Sequence, residues 1–335
     1  MPLLELTDRG LYCPAGGFHV DPWGEVDLAL LTHAHGDHAR PGSARYLAAA
    51  PGAAILEKRL APPAGELALD TLPYGARQRL GDVTVSFHPA GHVLGSAQLR
   101  VEGEGEVWVL TGDFKRAPDP TCAPFEPVEC DVLVMEATFA LPIYRWAPAE
   151  ATARAILAWW DACAARGQCA VLYAYILGKA QRLLAELARL TDRRVWLHGA
   201  IANLVDLYRE AGVAMLPTAR VAEAPAGDDW AGRLVLAPPS VRRTPWVRRF
   251  GDHETAFASG WMQVRGMRRR RGLNRGFALS DHADWPALLR TAHESRARRV
   301  LCTHGYAETL ARFLREERGL DAEALPTRFE GEEGA

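Results

Sequence analysis

Short apolar runs alternate with polar turns over about the first 140 residues, and those turns carry unusual side chains. Four runs have the length and β-branched content of strands: VDLALL, VTVSF, EVWVL and DVLVM. Each run leads into a segment that holds histidine, aspartate or glutamate. We therefore expect four strands that deliver these groups to one shared site at a sheet edge.

A different pattern begins near Pro148. AEATARAILAWWDACAARG has the apolar spacing of an amphipathic helix, and QCAVLYAYI predicts a buried strand. A helix follows in GKAQRLLAELARLT, then a strand in RRVWLHG, a helix at about 203–211, and strands in GRLVLAPP and TAFASGWM. This alternation predicts a small α/β unit.

The C-terminal part returns to the first pattern. GFALSDHADWPALL and RVLCTHGYAETL each predict a strand, a polar loop and a helix, and both loops again hold histidine. The simplest organisation is an α/β protein with one catalytic domain, residues 1–140 and 262–335. An inserted α/β domain, residues 141–261, splits it.

Composition narrows the class of protein. About half of the 335 residues are apolar, which allows a core of ordinary size. No run approaches the ~20 apolar residues that span a bilayer. The N-terminal MPLLELTDRG lacks the basic-then-apolar pattern of a signal peptide. We expect a soluble, cytoplasmic protein with no membrane partner.

Charge and cysteine content exclude few further classes of protein or site. The net charge of -2 predicts no partner by itself, although RGMRRRRGLNR is strongly basic. The six cysteines form no C-x-x-C pair, which argues against a thiolate zinc site or a redox motif. We expect them to be reduced and mostly buried.

The turn after VDLALL carries the most specific chemistry. LTHAHGDHAR places His33, His35, Asp37 and His38 within six residues. Imidazole and carboxylate groups suit zinc and also manganese or iron. One short loop cannot easily aim four groups at one ion, so the spacing favours two adjacent ions. Such a pair can direct hydroxide at a phosphodiester or an acyl carbonyl.

Further ligands are expected from other strand ends. GHVLGS offers His92, and LCTHGY offers His304. LTGDF offers Asp113 after a glycine that lets the backbone approach closely. His88 lies four residues before His92, and we expect it to be structural.

The ordered motifs THAHGDH, GHVLGSAQ, TGDF, EAT, SDHAD and THG resemble the metallo-β-lactamase superfamily. Their set is similar to the β-CASP nuclease branch, which includes Artemis, RNase J and the endonuclease subunit of the mRNA cleavage and polyadenylation machinery. The resemblance covers nearly the whole chain. It implies an αββα sandwich with an inserted small β-CASP domain.

Matched position by position, the resemblance implies two divalent ions, zinc or manganese. The first would be bound by His33, His35, His92 and Asp113. The second would be bound by Asp37, His38, His304 and the same Asp113 as a bridge.

The resemblance also implies roles in catalysis. Glu136 falls on the first additional motif of the branch, His282 on the second and His304 on the third. A metal-bridged hydroxide would attack phosphorus, and His282, oriented by Glu136, would protonate the leaving oxygen. We therefore expect Asp37, Glu136 and His282 to be catalytic.

Within the branch, YCPAGGFHVDPW, SGWM and LSDHADWPALL most resemble bacterial DNA-ligase-associated exonucleases. This implies an exonuclease, 5′→3′ by resemblance, that acts on single-stranded or end-resected DNA in repair. A DNA ligase and a helicase would be functional partners. His304 is typical of the RNA-cleaving members, so an RNA-processing nuclease is the alternative. A small-molecule thioester or lactone hydrolase is a weaker one.

Basic segments are candidates for binding the substrate. The run before SDHAD contains Arg268, Arg269, Arg270 and Arg271, flanked by Arg265 and Arg275. A second cluster surrounds Trp246 and contains Arg242, Arg243, Arg248 and Arg249. Either group could instead be an ordinary solvated surface.

Two further residues lie near predicted helix starts. Lys179 follows Gly178 at the start of a helix, where it could bind a terminal 5′-phosphate. Asp281 precedes the helix that begins near Trp285, and we expect it to cap that helix.

Overall fold

The computed structural model describes residues 2–264, 266 and 275–328. These residues form two compact units. The first runs through Arg145 and resumes at His282, and the second runs from Trp146 to Asp281. The second boundary lies later than the expected 261/262, because the strand Arg275–Phe277 pairs in parallel with His253–Ala258 of the second unit.

The first sheet of the first unit has six strands in the order β1-β2-β3-β4-β5-β6. Its strands are β1 (Glu5–Thr7), β2 (Gly10–Cys13), β3 (Phe18–Val20), β4 (Leu28–Leu31), β5 (Arg45–Ala49) and β6 (Leu69–Leu72). Helix α1 (Ala53–Leu60) follows β5 and buries Ile55, Leu56 and Leu60. From β3 to β6 the strands run parallel.

The second sheet has seven strands in the order β19-β18-β11-β10-β9-β8-β7. Its strands are β7 (Arg77–Leu80), β8 (Val83–Pro89), β9 (Ala97–Gly103), β10 (Glu106–Leu110), β11 (Val132–Glu136), β18 (Arg299–Thr303) and β19 (Asp321–Ala324). β10, β11 and β18 are parallel, and β8 runs in the same direction because β9 is antiparallel to both β8 and β10.

Apolar packing joins these sheets into an αββα sandwich. Leu30 and Leu47 of the first sheet share one buried cluster with Phe87, Leu99 and Val134 of the second. This follows from strand periodicity, since alternate side chains of each strand point to the same face. The expected fold class is therefore confirmed.

Two helices cover the other face of the second sheet: α5 (Trp285–Glu294) and α6 (Ala307–Arg318). Leu288 of α5 and Leu310 and Leu314 of α6 pack with Val109 and Val300 of the sheet. α6 ends at Gly319, which has the left-handed conformation that favours glycine, with φ of 65°.

The second unit has a six-stranded parallel sheet in the order β14-β13-β15-β12-β16-β17. Its strands are β12 (Cys169–Tyr173), β13 (Val195–Leu197), β14 (Thr218–Arg220), β15 (Leu234–Ala237), β16 (His253–Ala258) and β17 (Arg275–Phe277). Its helices are α2 (Ala149–Ala165), α3 (Lys179–Ala188) and α4 (Gly199–Glu210). The expected α/β alternation is present, with α4 beginning earlier than 203.

The directions of the strands explain where polar groups collect. β8, β10, β11 and β18 all end at the same edge of the second sheet, and β4 of the first sheet ends nearby. The Ala97 N–H donates to the Thr32 carbonyl over 2.8 Å and so joins the end of β4 to the start of β9. The shared site thus lies at strand ends of both sheets rather than of one.

Among the helices of the described residues, none combines the length and the apolar character required to cross a membrane.

Candidate metal centre and active site

The first ligand group unites the turn after β4 with two loops of the second sheet. It consists of His33, His35, His92 and Asp113, whose ligand atoms all lie within 4.8 Å of one another. His35 Nδ1 lies 3.0 Å from both His33 Nε2 and His92 Nε2. All four side chains are buried. Such convergence of imidazole nitrogens with a carboxylate is typical of a metal site.

The second group consists of Asp37, His38 and His304, again within 4.8 Å of one another. The rings of His38 and His304 stack with centroids 5.5 Å apart. Asp113 Oδ2 lies 3.5 Å from His33 Nε2 and 3.5 Å from His38 Nε2, so it faces both groups equally. The structure thus brings together all seven side chains that the sequence singled out as ligands.

Asp21, which follows β3, fixes the ring of His38. Its Oδ2 lies 2.7 Å from His38 Nδ1 and accepts the Thr32 hydroxyl over 2.6 Å. Its Oδ1 accepts the Thr32 N–H over 2.8 Å. Thr32 Oγ1 also lies 3.1 Å from His33 Nδ1. These contacts turn the Nε2 atoms of both histidines towards the ligand groups, as outer carboxylates do in metal sites.

Glu136, the last residue of β11, holds His282 in the same way. His282 Nδ1 lies 2.9 Å from Glu136 Oε2 and 3.1 Å from Oε1. Glu136 Oε1 also accepts the Phe114 N–H over 2.8 Å, which ties it to the loop of Asp113. Asp113, Glu136 and His282 together form a third group within 4.8 Å. The expected Glu136–His282 pair is therefore present as a buried contact.

Burial and charge set opposite protonation states for the central carboxylate and for His38. Burial raises the pKa of Asp113, but the positive charges of His38 and His282 outweigh burial and hold that pKa well below its usual value. Burial lowers the pKa of His38, but Asp113, Asp37 and Asp21 outweigh it and raise that pKa well above its usual value. Asp113 is therefore ionised, as a ligand carboxylate must be.

Two other histidines of the centre, His33 and His304, have pKa values below the usual value. Burial, reinforced by the positive charge of His38, lowers the pKa of His33 well below its usual value. The same two causes lower the pKa of His304. A neutral imidazole is the form that binds a metal.

The donor set fits divalent cations. Among the described residues, His38 Nε2 and His304 Nδ1 are buried nitrogens without a hydrogen-bond partner. An unsatisfied buried polar atom is costly, and coordination to a cation would remove that cost. Imidazole with carboxylate and no thiolate suits zinc or manganese and does not select between them.

The backbone is strained or tightly packed at two ligand loops. Gly112 has φ of 54°, and a Cβ there would lie 2.7 Å from the Thr32 side chain. His304 has φ of 62°, which non-glycine residues rarely adopt, and Gly305 follows with φ of 49°. Because Gly112 has no Cβ, its backbone can approach the Thr32 side chain closely, as expected for the glycine before Asp113.

A pocket of about 70 Å³ opens beside the second ligand group. Its lining includes Asp37, His38 and His304. The lining also includes the apolar side chains of Leu6, Leu11, Val20, Trp23, Leu110, Val134 and Leu325. The second ligand group therefore borders a partly apolar cavity.

Lys179 has a different environment from the one that its position suggested. It begins α3 as expected, but it is buried, and its Nζ donates to Asp281 Oδ2 over 2.7 Å. Arg182 donates to Asp281 Oδ1 over 3.2 Å. The helix at Trp285 is capped by Asp284, which accepts the Ala287 N–H over 3.1 Å, so the capping role expected for Asp281 was wrong.

Some of the remaining residues singled out from the sequence lie in the part of the chain that the structure describes, and others lie outside it. Arg265, Arg268, Arg269, Arg270 and Arg271 lie outside the described residues. His88 lies outside the three ligand groups, with its Nε2 3.1 Å from Ser86 Oγ. Asp21 and Thr32 are the functional contacts that the sequence analysis missed. The run FHVD carries the same signal as the other sites, an acid directly after a strand.

Comparison with known proteins finds several similar sequences, some of them named as ribonucleases. It is 35% identical over 327 residues to a protein named "Probable DNA ligase" from Opitutus terrae, a match that covers 97% of this chain. It is 30% identical over 191 residues to "Ribonuclease TTHA0252" from Thermus thermophilus, over 50% of this chain and 44% of that protein. A Methanocaldococcus jannaschii protein named "RNase J-like protein" is 24% identical over 40% of this chain and 34% of its own length.

The matches cover different fractions of the relatives' chains. The chain spans only 31% of the length of the Opitutus terrae protein. No family model matches the sequence. A crystal structure of a protein of unknown function from Enterococcus faecalis superposes with a TM-score of 0.59. The superposition covers 90% of this chain and 80% of the Enterococcus faecalis chain. The two sequences are 14% identical, so this match supports the fold alone.

Proposed function

Because the chain belongs to the β-CASP branch of the metallo-β-lactamase superfamily, we propose that it is a metal-dependent nuclease. One observation carries this proposal. Seven side chains that could bind metal ions converge beside a buried Glu136–His282 pair within one unit. A hydrolase of this fold that acts on thioesters or lactones does not require that pair.

His33, His35, His92 and Asp113 would hold one divalent ion, zinc or manganese. Asp37, His38 and His304 would hold a second ion, with Asp113 facing both. When bound, such ions supply a hydroxide nucleophile at neutral pH and stabilise negative charge on phosphate oxygens. Asp21 and Thr32 would keep the histidine Nε2 atoms aimed at the ions.

His282 would act as the general acid. Its Nδ1 is held by Glu136 at 2.9 Å, so Nε2 is the ring nitrogen that would give a proton to the leaving oxygen. The carboxylate of Glu136 would stabilise the charged imidazolium before that transfer. A buried pair of this kind also keeps the ring in one orientation, which reduces the entropy cost of proton transfer.

Hydrolysis of a small phosphodiester tests this function without requiring that the protein bind a nucleic acid. We expect metal-stripped protein to be inactive towards bis(p-nitrophenyl) phosphate, and zinc or manganese to restore hydrolysis in the wild type and not in Asp113→Asn. Two bound ions per chain are expected by elemental analysis. Hydrolysis of a thioester or lactone in place of the phosphodiester would contradict the proposal.

We further propose that the substrate is DNA and that cleavage is exonucleolytic, 5′→3′, at ends handled in repair. Support comes from the match of 97% of this chain to part of the protein named "Probable DNA ligase". A DNA ligase and a helicase would then act on the same ends. Polarity rests on the family resemblance stated above.

An RNA-processing nuclease is the second candidate. Two observations favour it: the relatives named as ribonucleases, and a histidine at position 304. Competition between unlabelled RNA and labelled DNA of one sequence separates the two candidates. A DNA enzyme should be inhibited more strongly by unlabelled DNA than by the matching RNA.

A further inference from the structure

A group of arginines in the second unit lacks acidic partners. Several arginines of this unit lie against carboxylates at 2.6–2.9 Å: Arg154 with Glu150, Arg193 with Asp161, Arg220 with Asp206 and Arg233 with Asp228. In contrast, Arg243, Arg248 and Arg249 are exposed and form no ion pair with any residue that the structure describes. We call these three residues the arginine surface.

The local fold explains why these side chains are exposed together. Pro245–Phe250 is a 3₁₀ helix, whose side chains align every third residue. Val247 and Phe250 are therefore on one buried face, whereas Pro245 and Arg248 are on an exposed face. Thr244 caps the helix by accepting the Trp246 N–H over 3.3 Å. The buried face anchors the segment and leaves the basic faces in solvent.

Trp246 holds one of the guanidinium groups in place. Arg249 Cζ lies 5.3 Å from the centroid of the Trp246 ring, and Arg249 Nε donates to the Trp246 carbonyl over 3.1 Å. The ring itself packs edge-on against Phe250 and His198, each with centroids 5.0 Å apart. A stacked guanidinium loses less conformational entropy when it binds an anion.

Arg243 adopts a conformation that costs energy. Its φ is 67°, where glycine or asparagine fits better than a long side chain. The turn around it is closed by the Arg242 N–H to the Pro239 carbonyl and the Thr244 N–H to the Val241 carbonyl. A strained residue held by a defined turn is a reason to look for function at its side chain.

We propose that the arginine surface binds the phosphodiester backbone of a nucleic acid strand, a proposal that rests on the nuclease function above. The three guanidinium groups arise from a segment that spans at most about 22 Å even if fully extended, so they can meet neighbouring phosphates of one strand. Guanidinium binds phosphate oxygens in a bidentate manner. A protein partner would need a buried apolar anchor, but Val247 and Phe250 are already buried in the unit.

The test compares two triple variants of the full chain. The first, Arg243→Asn with Arg248→Gln and Arg249→Gln, removes the arginine surface, and asparagine tolerates the left-handed backbone at 243. The control, Arg154→Gln with Arg189→Gln and Arg193→Gln, removes three arginines that have acidic partners. Arg193 also stacks on a tryptophan, Trp160, at 3.7 Å, so the control includes the loss of a cation–π contact.

Binding of fluorescent single-stranded DNA and RNA would be measured by anisotropy across a salt series, with metal removed to prevent cleavage. We expect the first variant to bind both polymers at least about tenfold more weakly and its salt slope to fall by about 2. The control should retain most of the affinity. Hydrolysis of bis(p-nitrophenyl) phosphate should be unchanged in both variants.

Equal affinity and slope in the first variant and the wild type would overturn the proposal, as would an equal loss in the control. A loss confined to DNA or to RNA would also overturn it, because both polymers share the phosphodiester backbone. If wild-type protein fails to hydrolyse the small phosphodiester with any metal, the nuclease function fails instead. The anisotropy comparison still decides the arginine surface in that case.

Discussion

Two carboxylates that belong to neither expected ligand set, Asp21 and Glu136, orient histidines of the centre. Asp21 holds His38 Nδ1 at 2.7 Å, and Glu136 holds His282 Nδ1 at 2.9 Å. Each contact leaves Nε2 as the ring atom that can act. In the proposed mechanism the first contact orients a metal ligand and the second orients the general acid, so substitutions should separate metal binding from proton transfer.

Asp21→Asn should weaken metal binding. Asparagine can still accept the Thr32 N–H, but it loses the charge that orients His38, and such outer contacts are worth about 10–100-fold in affinity. The measurement is zinc affinity by competition with a chelator. Exposed Asp27→Asn is the matched control and should bind normally. Unchanged affinity in Asp21→Asn would show that Asp21 does not support the site.

His282→Ala should slow cleavage by about 10²–10⁴-fold, the usual value of a positioned general acid. Metal content should remain close to that of the wild type, because His282 belongs to neither expected ligand set. Single-turnover rates and elemental analysis test both statements, with His88→Ala as the control. Full activity in His282→Ala would remove it from the mechanism.

At the residue scale, the sequence predicted that the seven expected ligand side chains would cluster, because all of them lie in the turns that follow apolar strands. It did not predict the roles of Asp21 and Thr32. Their contacts depend on the parallel pairing of β3 with β4, which brings Asp21 to a histidine 17 positions away. It suggested a phosphate-binding role for Lys179 and not the buried ion pair, because a helix start does not reveal a carboxylate contributed by Asp281.

The loops at strand ends hold the ligands by close backbone packing. Gly112 and Asp113 follow the end of β10 after Thr111, and Gly112 packs against the Thr32 side chain. β18 enters His304 and Gly305, both left-handed. In β11 the register sets Glu136 opposite Thr303, so these two loops meet at one level of the sheet. Loop geometry should therefore control both stability and the site.

Gly112→Ala should destabilise the protein more than a left-handed backbone alone would explain. Alanine there pays about 1–2 kcal/mol for its conformation, and its Cβ also overlaps Thr32 at 2.7 Å. Gly105→Ala is the control, because Gly105 has φ of 76° and no atom within 4 Å of a Cβ. Thermal midpoints compare the two. Equal losses would mean that Thr32 simply moves aside.

Lys179→Met should act mainly on stability. Removing one member of a buried ion pair costs about 3–5 kcal/mol, because a charge is left without its partner. Asp281 would lose the Lys179 ammonium at 2.7 Å and retain the Arg182 guanidinium at 3.2 Å. Chemical denaturation and KM for a 5′-phosphorylated oligonucleotide are the two measurements. A raised KM with unchanged stability would favour the phosphate-binding role first expected of Lys179.

At the scale of the whole molecule, alternation of strands and helices predicted a split domain with an α/β insertion. The structure divides into two units, the second with a parallel sheet and the first with two sheets packed face to face. The boundary near the C-terminal end of the second unit could not be located from the sequence. β17 has only three residues and joins a sheet whose other strands lie earlier in the chain.

The central claim is that this centre cuts nucleic acid, and cleavage of end-labelled strands tests it most directly. Metal-reconstituted protein would be incubated with single-stranded DNA and RNA of one sequence, labelled at either end, with Asp37→Ala as the control. We expect stepwise loss of nucleotides from the 5′ end of DNA with the wild type and no loss with the variant. Intact DNA and RNA under every metal tested, beside a folded and metal-loaded protein, would contradict it.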